Sequence, residues 1–276
     1  MEPMKIAFIG GGNMARSLIG GLLDAGTAPV DIAVSDPQDA ARQLLESQFG
    51  IATHADNATA IAGADVVVLA VKPQQMHNVV SALNGQFSHQ LLVSIAAGVR
   101  MQDIAAWSGN PNAAVVRCMP NTPALVGCGA TGLIANAQVN DAQRQQAESI
   151  LKAVGICAWV DTEAQLDAIT ALSGSGPAYF FLMLESMISS AQNMGISADT
   201  AKAFAVQTAL GAARMAGEVA ETPAQLRRNV TSPAGTTEAA INSFNHENYS
   251  EIVDRAMQAA AFRANELADE LGANHG

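Results

Sequence analysis

The sequence has few of the residues on which several classes of protein depend. Its three cysteines, Cys118, Cys128 and Cys157, are too few and too widely spaced for a disulfide framework or a cysteine-rich zinc site. We expect reduced, buried thiols at all three positions. No apolar run approaches the ~20 residues of a membrane span, and the start of the chain leads directly into a predicted strand, which leaves no room for a signal peptide. The sequence therefore predicts a cytoplasmic protein without a membrane partner.

Positive charge is also scarce. The chain has 14 lysines and arginines against 25 acidic residues, which gives a formal net charge of −11. Because nucleic-acid phosphates and anionic lipid surfaces both need basic partners, and no long basic run is present, we expect neither as a ligand. An anionic small molecule must then be held by local hydrogen-bond donors and not by the field of the whole protein.

Aromatic residues make up 4% of the chain, and its five histidines form neither an H-E-x-x-H motif nor a close pair, so we expect no metal site. Hydrophobic residues account for 49% of the 276 positions and charged residues for 14%. That composition is sufficient for a core built from Ala, Val, Leu, Ile and Met, and it excludes wholesale disorder. The length allows one large domain or two modest ones.

Short apolar runs alternate with helical patterns over the first part of the chain. The predicted strands are Lys5–Ile9, Ile32–Ser35, Asp65–Val71, Leu91–Ile95, Ala114–Arg117, Thr131–Ala135 and Cys157–Val160. The predicted helices are Asn13–Leu23, Gln38–Gln48 and Asp141–Ala153. Strands that alternate with helices of about 10–15 residues indicate βαβ units and a parallel sheet.

The remainder of the chain shows no convincing strand. Its predicted helices are Tyr179–Met194, Ala198–Ala220, Pro223–Arg228, Thr236–Phe244 and Glu251–Leu271. Because apolar residues lie all round these helices, we expect them to be buried on more than one side, in part by a partner subunit. The sequence thus predicts an α/β domain over residues 1–161 and an all-α domain over residues 162–276.

The strongest local signal is the glycine-rich turn that joins the first predicted strand to the first helix. Gly10, Gly12 and Ala15 occupy the fixed positions of the pattern G-x-G-x-x-A. Gly10 permits a tight turn, Gly12 allows the backbone to approach a pyrophosphate, and Ala15 keeps the helix close to the sheet. The helix N-terminus adds free amides and positive potential. We interpret the turn as a dinucleotide site; the alternative is a glycine-rich turn without a ligand.

Asp36, at the end of the second predicted strand, has two interpretations. Its carboxylate can bind the ribose 2′-hydroxyl and favour NADH, since a 2′-phosphate there would be repelled. Alternatively, Ser35 or Asp36 caps the next helix, with Pro37 at the first helical position. Ser35 could also donate to a 2′-phosphate. The sequence leaves NADH and NADPH both open.

Further loops follow strands at the edge where open α/β sheets bind ligands. Small residues in Ala70–Pro73 and Ala96–Gly98 allow a nicotinamide ring to lie against the backbone, and Lys72 either contacts the cofactor or is a solvated lysine. The residues assigned to the cofactor are Ile9, Gly10, Gly11, Gly12, Asn13, Met14, Ser35, Asp36, Asn57, Ala70, Val71, Lys72, Pro73, Ala96, Ala97 and Gly98.

A second anion site is indicated in the helical half. The segment Ser232–Glu238 ends a turn and begins a helix, where Gly235 frees the backbone and Thr236 and Thr237 fall in the first turn. The free amides of that turn can hold an anion without Arg or Lys. The alternative is that Ser232 and Thr236 only cap the helix.

Segments spread along nearly the whole chain resemble the pyrroline-5-carboxylate reductases, the last enzymes of proline synthesis. They are IGGGNM (9–14), AVKPQ (70–74), SIAAGV (94–99), RCMPNTPA (117–124), LSGSGPAY (172–179) and QLRRNVTSPAGTTEAAI (225–241). The resemblance implies a Rossmann domain followed by a helical dimerisation domain. It also implies hydride transfer from NADPH or NADH to the C=N carbon of 1-pyrroline-5-carboxylate, which gives L-proline. Family members form homodimers or decamers of five dimers, in which the partner's helical domain completes each substrate site.

The resemblance also assigns residues to the substrate. It places the carboxylate on the amides around Gly235 and Thr236, together with Ser232, and it places the Thr237 hydroxyl near the ring nitrogen, so Thr237 is the predicted catalytic donor. Ser175 is expected to line the pocket without forming a covalent bond, because the full G-x-S-x-G pattern of a serine nucleophile is absent.

Two residues differ from those common in the family, and two polar residues remain without an assigned function. Asp36 stands where the family often has Ser, Asn or Arg, and Ala234 stands where it commonly has Gly. Arg117 and Asn121 either shape the pocket or, for Arg117, form a structural salt bridge.

Two other functions share this fold pattern. A β-hydroxyacid dehydrogenase would need a Lys or His acid on the first helix of the second domain, and Ser173–Met194 has neither. A nucleotide-sensing protein would use the fold without turnover, but it would not need the second anion site.

Overall fold

The computed structural model describes residues 4–273, which form two compact units. The first comprises the chain up to Ser175 together with the segment that starts at Gln258, and the second is Gly176–Met257. The domain division after residue 161 stays a prediction; by packing, the first unit extends beyond it. Ile169 lies so close to the sheet that a Cβ added at Gly132 would come within 2.7 Å of its Cγ2 atom.

An eight-stranded sheet forms the centre of the first unit. Its strands are β1 (Ile6–Ile9), β2 (Ile32–Ser35), β3 (Ala52–His54), β4 (Val66–Leu69), β5 (Leu91–Ser94), β6 (Val115–Met119), β7 (Gly129–Ala135) and β8 (Gly155–Trp159). Their spatial order is β3-β2-β1-β4-β5-β6-β7-β8. The first six strands are parallel and have the order of the doubly wound dinucleotide-binding fold. The predicted α/β Rossmann fold class is confirmed.

The expectation of a wholly parallel sheet is wrong at one place. β6 and β7 are antiparallel, with Met119 opposite Gly132 and Val116 opposite Ala135. The connection between them, residues 120–128, is too short for the crossover of about a dozen residues that parallel strands need. β8 is parallel to β7 and therefore also runs against the first six strands.

Helices of the first unit follow the strands. They are α1 (Asn13–Asp24), α2 (Asp39–Phe49), α3 (Asn57–Ile61), α4 (Pro73–Ser81), α5 (Met101–Trp107), α6 (Asp141–Lys152) and α7 (Glu163–Ile169), after which the backbone widens into a π-helix over Thr170–Gly174. Gly50 closes α2 at φ +64°, a conformation in which glycine carries no side-chain penalty.

Apolar side chains fill both faces of this sheet. Leu18 of α1 and Ile150 of α6 belong to one buried cluster with Phe8, whereas Met76 of α4 belongs to a second cluster with Val67 on the opposite face. Each strand of the central sheet therefore has to be apolar on both sides, which explains the continuous runs of Val, Ile and Leu. The stacking fixes the carboxyl ends of β1, β2, β4, β5 and β6 along one edge.

The second unit consists of helices. They are α8 (Gly176–Asn193), α9 (Ala198–Glu218), α10 (Pro223–Asn229), α11 (Thr236–His246) and the beginning of α12 (Tyr249–Ala273). α8 packs along α9, yet large apolar side chains remain exposed in the single chain, among them Phe180 at 70% and Phe204 at 73%. Exposed apolar surface of this extent is typical of a subunit interface.

Thiol burial differs from the expectation. Cys118 is buried, as predicted, and burial raises the pKa of its thiol. Cys157 is only half-buried, with its pKa raised to about 11 chiefly by desolvation, and Cys128 is exposed because it follows the surface turn after β6. The prediction of three buried thiols is therefore wrong for Cys128 and holds only in part for Cys157. Between residues 4 and 273, no helix combines the length and apolar character needed to cross a bilayer.

Candidate active site

The carboxyl ends of β1, β2 and β4 border a cleft with a volume of ≈ 500 Å³. Predicted cofactor residues that line it are Gly10, Gly12, Ser35, Asp36, Asn57, Ala70, Val71 and Lys72. These residues come from four separate segments of the chain, and the parallel strands bring them to the same edge of the sheet. The cleft therefore lies where a doubly wound sheet binds a dinucleotide.

Gly10 and Gly12 meet different steric demands in the turn above β1. Gly10 has φ +100°, and a Cβ there would lie 2.7 Å from the carbonyl oxygen of Ala70. Gly12 has an ordinary extended backbone, and a Cβ there would have no heavy atom within 4 Å. Gly10 thus lets β1 and β4 approach each other, whereas the space above Gly12 is open. That open space is a cradle that fits a pyrophosphate.

Some of the amides around this cradle are occupied by protein acceptors, and those in the first turn of α1 are open to an anion. Gly12 is the N-cap of α1 and provides no side-chain cap. The amides of Gly10 and Gly11 donate to the Ser35 carbonyl at 2.8 Å and to Asp36 Oδ2 at 3.0 Å. For the amides of Asn13 and Met14, the part of the chain that the structure describes provides no acceptor. The positive end of α1 is therefore open to phosphate oxygens.

Asp36 is held by backbone amides and does not cap α2. Its Oδ2 accepts from Gly11 and its Oδ1 accepts from Gln38 at 2.9 Å, while the N-cap of α2 is Gln38 itself. The capping interpretation of Ser35 and Asp36 was therefore wrong, because α2 starts later than Pro37 suggested. Two amides fix the carboxylate beside the glycine turn, where a ribose would lie.

Ser35 and Arg42 complete the surroundings of Asp36. Ser35 is buried at the wall of the cleft, and its hydroxyl donates to the Phe8 carbonyl at 3.4 Å. Arg42, which was not among the predicted site residues, forms an ion pair with Asp39 and donates to the Asp36 carbonyl at 2.6 Å. The sequence signal for this residue was a basic side chain in the first turn of the helix that follows Asp36.

The remaining predicted cofactor residues are not among those that line the cleft. Ile9 ends β1, Pro73 begins α4, and Ala96–Gly98 follows β5, with Gly98 at φ +72°. Asn13 instead lines a separate cavity of ≈ 770 Å³ between α1 and the 3₁₀ turn after β6.

Two buried polar side chains lie in β6 and in the loop that follows it. Arg117 is 2% exposed and forms ion pairs with Glu163 and, at 3.6 Å, with Asp167. Burial raises the pKa of Asp167, and Arg117 opposes that shift. Of the two interpretations of Arg117, the structure supports the salt bridge. Asn121 is 8% exposed and lies in the loop that follows β6.

The second predicted anion site has free amides as well. Gly235 is the N-cap of α11 and gives no side-chain cap, so neither Ser232 nor Thr236 caps the helix as the alternative required. Within residues 4–273, the amides of Thr236 and Thr237 have no protein acceptor. Both lie in the first turn of an 11-residue helix.

The loop before α11 is held in a specific shape. The Gly235 amide donates to the Ser232 carbonyl at 3.0 Å, and the Ala234 amide donates to Glu238 Oε2 at 2.7 Å. Ala234 has φ +57°, which glycine adopts without penalty and which alanine rarely adopts. The preference of the family for glycine at this position has its physical reason in this backbone angle.

Comparison with known proteins decides the family. The chain is 53% identical over 273 residues to a curated pyrroline-5-carboxylate reductase from Pseudomonas aeruginosa, with 99% of this chain and 100% of the relative covered. The chain belongs to the pyrroline-5-carboxylate reductase family. Residues 163–267 match the model for pyrroline-5-carboxylate reductase dimerisation, and residues 5–98 match the model for coenzyme F420-dependent NADP oxidoreductases.

Solved reductases of this family have the same fold from end to end. A pyrroline-5-carboxylate reductase from Coxiella burnetii superposes with a TM-score of 0.92 at 44% identity, covering 97% of this chain and 99% of its own. The pyrroline carboxylate reductase from Plasmodium falciparum, solved with NADP bound, has a TM-score of 0.86 at 28% identity and the same coverage of both chains. The predicted membership of the reductase family is confirmed.

Proposed function

We propose that this chain is an NAD(P)H-dependent pyrroline-5-carboxylate reductase. It transfers a hydride to the C=N carbon of 1-pyrroline-5-carboxylate and forms L-proline. The observation that carries this function is the end-to-end identity of 53% with a curated reductase. The cleft at the carboxyl edge of the sheet and the free helix N-terminus of α11 supply the two kinds of binding site that this reaction needs.

The glycine turn and its neighbours hold the cofactor. The amides from Gly12 to Met14 bind the pyrophosphate, and Asp36, fixed by two backbone amides, binds the adenosine ribose. Ala70–Pro73 and Ala96–Gly98 lie against the nicotinamide, which supplies the hydride when bound. A carboxylate at position 36 attracts a 2′-hydroxyl, while Arg42 lies within reach of the same strand end. Both NADH and NADPH are therefore expected to serve.

The first turn of α11 binds the substrate carboxylate. Its amides around Gly235 and Thr236 are the local donors that a protein of net charge −11 needs for an anionic ligand. Each charge-assisted bond contributes about 1.5–3 kcal/mol. Ser232 shapes the loop through its carbonyl, and Ser175 lines the pocket. The Thr237 hydroxyl donates to the ring nitrogen and orients the imine.

Catalysis in this enzyme is mainly a matter of position. The assigned substrate residues include no His, Asp or Glu as a general acid, and an imine that arrives protonated needs none, because its positive charge already makes the carbon electrophilic. The chain then contributes by holding the imine carbon and the hydride donor in near-attack geometry.

Assembly and location follow from the same family. We propose a homodimer, in which the exposed apolar side chains of α8 and α9 meet a partner, and an assembly of five such dimers into a decamer. The match of residues 163–267 to the dimerisation model supports this assembly. Free thiols at Cys118, Cys128 and Cys157 are compatible with a reducing, cytoplasmic location.

An absorbance assay tests the proposed function. Purified protein should oxidise NADH or NADPH only after the cyclic imine is added, and chiral chromatography should identify the product as L-proline. A protein that binds the cofactor but gives a flat trace with imine would be a nucleotide sensor. Turnover of a β-hydroxyacid instead of the imine would indicate the dehydrogenase, for which α8 lacks a Lys or His acid.

A further inference from the structure

We propose that Asn121 is a positioning residue of the reductase, one that holds the turn preceding α8 at the edge of the sheet where the nucleotide cleft lies. The inference rests on the proposed function, in which Ser175 lines the substrate pocket. Asn121 touches neither reactant in this proposal; it acts through the backbone of the turn that ends at Ser175.

The side chain of Asn121 joins three segments of the first unit. Its Nδ2 donates to the Ser173 carbonyl at 2.9 Å, and its Oδ1 accepts from the Ala130 amide at 2.9 Å. Asn121 itself belongs to the loop after β6, Ala130 to β7, and Ser173 to the π-helix. Because the side chain is 8% exposed, water does not compete for these two bonds.

The π-helix leaves a carbonyl that Asn121 can use. In a regular α-helix the Ser173 carbonyl would accept from residue 177, but Pro177 has no N–H. The wider turn is closed instead by the Ser175 amide, which donates to the Thr170 carbonyl at 2.8 Å. A single π-turn inside a helical segment is rare and occurs frequently at functional sites.

Packing places this turn at the carboxyl edge of the sheet. A Cβ at Gly174 would come within 2.7 Å of Met119 Cε, so the turn lies directly on the last residue of β6. β6 is parallel to β5, which ends just before Ala96–Gly98. The turn therefore lies one strand beyond the loop assigned to the nicotinamide, and it ends at Ser175, the residue of this unit that is assigned to the substrate.

Asn136 provides a matched control at the other end of the same strand. Its Nδ2 donates to the Ala113 carbonyl at 2.8 Å, and its Oδ1 accepts from the Val115 amide at 3.1 Å. Asn121 and Asn136 thus make the same pair of bonds to backbone groups, one at the carboxyl end of β6 and one at its amino end. Only the first lies at the carboxyl edge of the sheet, the edge that borders the cleft.

The test compares Asn121→Ala and Asn121→Asp with Asn136→Ala in the full-length enzyme. Asn121→Asp keeps an acceptor for the Ala130 amide but cannot donate to the Ser173 carbonyl. We expect both Asn121 variants to raise KM for the cyclic imine about tenfold, equivalent to about 1.4 kcal/mol, with the Kd for NADPH unchanged. Asn136→Ala should lower Tm as much as Asn121→Ala does, because each removes two hydrogen bonds to the backbone. It should leave the KM for the imine and the Kd for NADPH at their wild-type values.

If Asn121→Ala fails to fold, Asn121→Asp carries the test, because it keeps the bond to the Ala130 amide and removes only the bond to the Ser173 carbonyl. The inference is overturned if the folded Asn121 variants retain the wild-type KM, or if Asn136→Ala raises KM equally. A wild-type enzyme without imine-dependent activity would instead refute the proposed function, and that result is read from the unmodified protein alone.

Discussion

Gly10 and Gly12 lie two positions apart in one turn, yet a methyl group on each should have different consequences. At Gly10, φ +100° costs alanine about 1–2 kcal/mol, and the 2.7 Å approach to the Ala70 carbonyl adds about 1–3 kcal/mol of overpacking. Gly10→Ala should therefore destabilise the fold by about 2–5 kcal/mol. At Gly12, φ −69° is ordinary and no atom lies within 4 Å of the added group.

For Gly12→Ala, two small effects on stability oppose each other. Alanine stabilises by about 0.4–1 kcal/mol through the unfolded chain and loses about 1 kcal/mol as an N-cap, so Tm should change little. The methyl group nevertheless enters the space above the turn and should raise the Kd for NADPH at least about tenfold, equivalent to ~1.4 kcal/mol. Stability and binding thus separate at this position.

Urea unfolding and fluorescence titration with NADPH measure the two quantities independently. Gly50→Ala is the control, because Gly50 has φ +64° with no atom near its added Cβ and lies outside the cleft. It should cost about 1–2 kcal/mol without any change in Kd. Wild-type affinity in Gly12→Ala would show that the pyrophosphate does not lie over this turn, and a fully stable Gly10→Ala would refute the steric argument.

Three other substitutions test separate parts of the molecule. Thr237→Ala should lower kcat for the imine at least about tenfold with unchanged Kd for NADPH, whereas Thr237→Ser, which keeps the hydroxyl, should retain turnover. If Thr237→Ala turned over the imine as fast as Thr237→Ser, the hydroxyl would have no function in the mechanism. Asp36→Ser should shift the ratio of kcat/KM values towards NADPH, because it removes a charge that repels the 2′-phosphate, and an unchanged ratio would leave Asp36 only as a brace for Gly11. Arg117→Ala should cost about 3–5 kcal/mol in urea unfolding, since it strands the buried Asp167 carboxylate; a loss below about 1 kcal/mol would indicate a solvated pair.

Local patterns predicted the elements whose signal lies within a few neighbouring residues. Ile32–Ser35 and Asp141–Ala153 were predicted within one residue of their observed ends, because a short apolar run and a helical pattern are both local features. The three-residue strand Ala52–His54 and the short helix Asn57–Ile61 were missed. Neither is long enough to show a period, and their formation depends on pairing with β2 and on a cap from Asp56.

The candidate site divides in the same way. The glycine turn could be predicted because its whole pattern, G-x-G-x-x-A, lies within six consecutive residues. The contact of Asp36 with the Gly11 amide could not, since it joins residues 25 positions apart, and the direction of β7 could not, since it depends on the length of the connection after β6. The bond from Asn121 to Ser173 joins residues 52 positions apart. No periodicity or motif encodes such a contact, and only the folded chain brings its two ends together.

The reversal of β7 has a consequence for how this fold can change. Because β8 also runs away from the nucleotide edge, α7 must bring the chain back to it, and its seven residues span about 10 Å. Inserting or deleting one residue in α7 would rotate the π-helix that follows it by ~100° about the helix axis and shift it by about 1.5 Å. The glycine turn, built from earlier strands, would stay where it is. The length of α7 therefore sets the register in which the Ser173 carbonyl meets the Asn121 side chain, so this segment of the first unit tolerates no change in length.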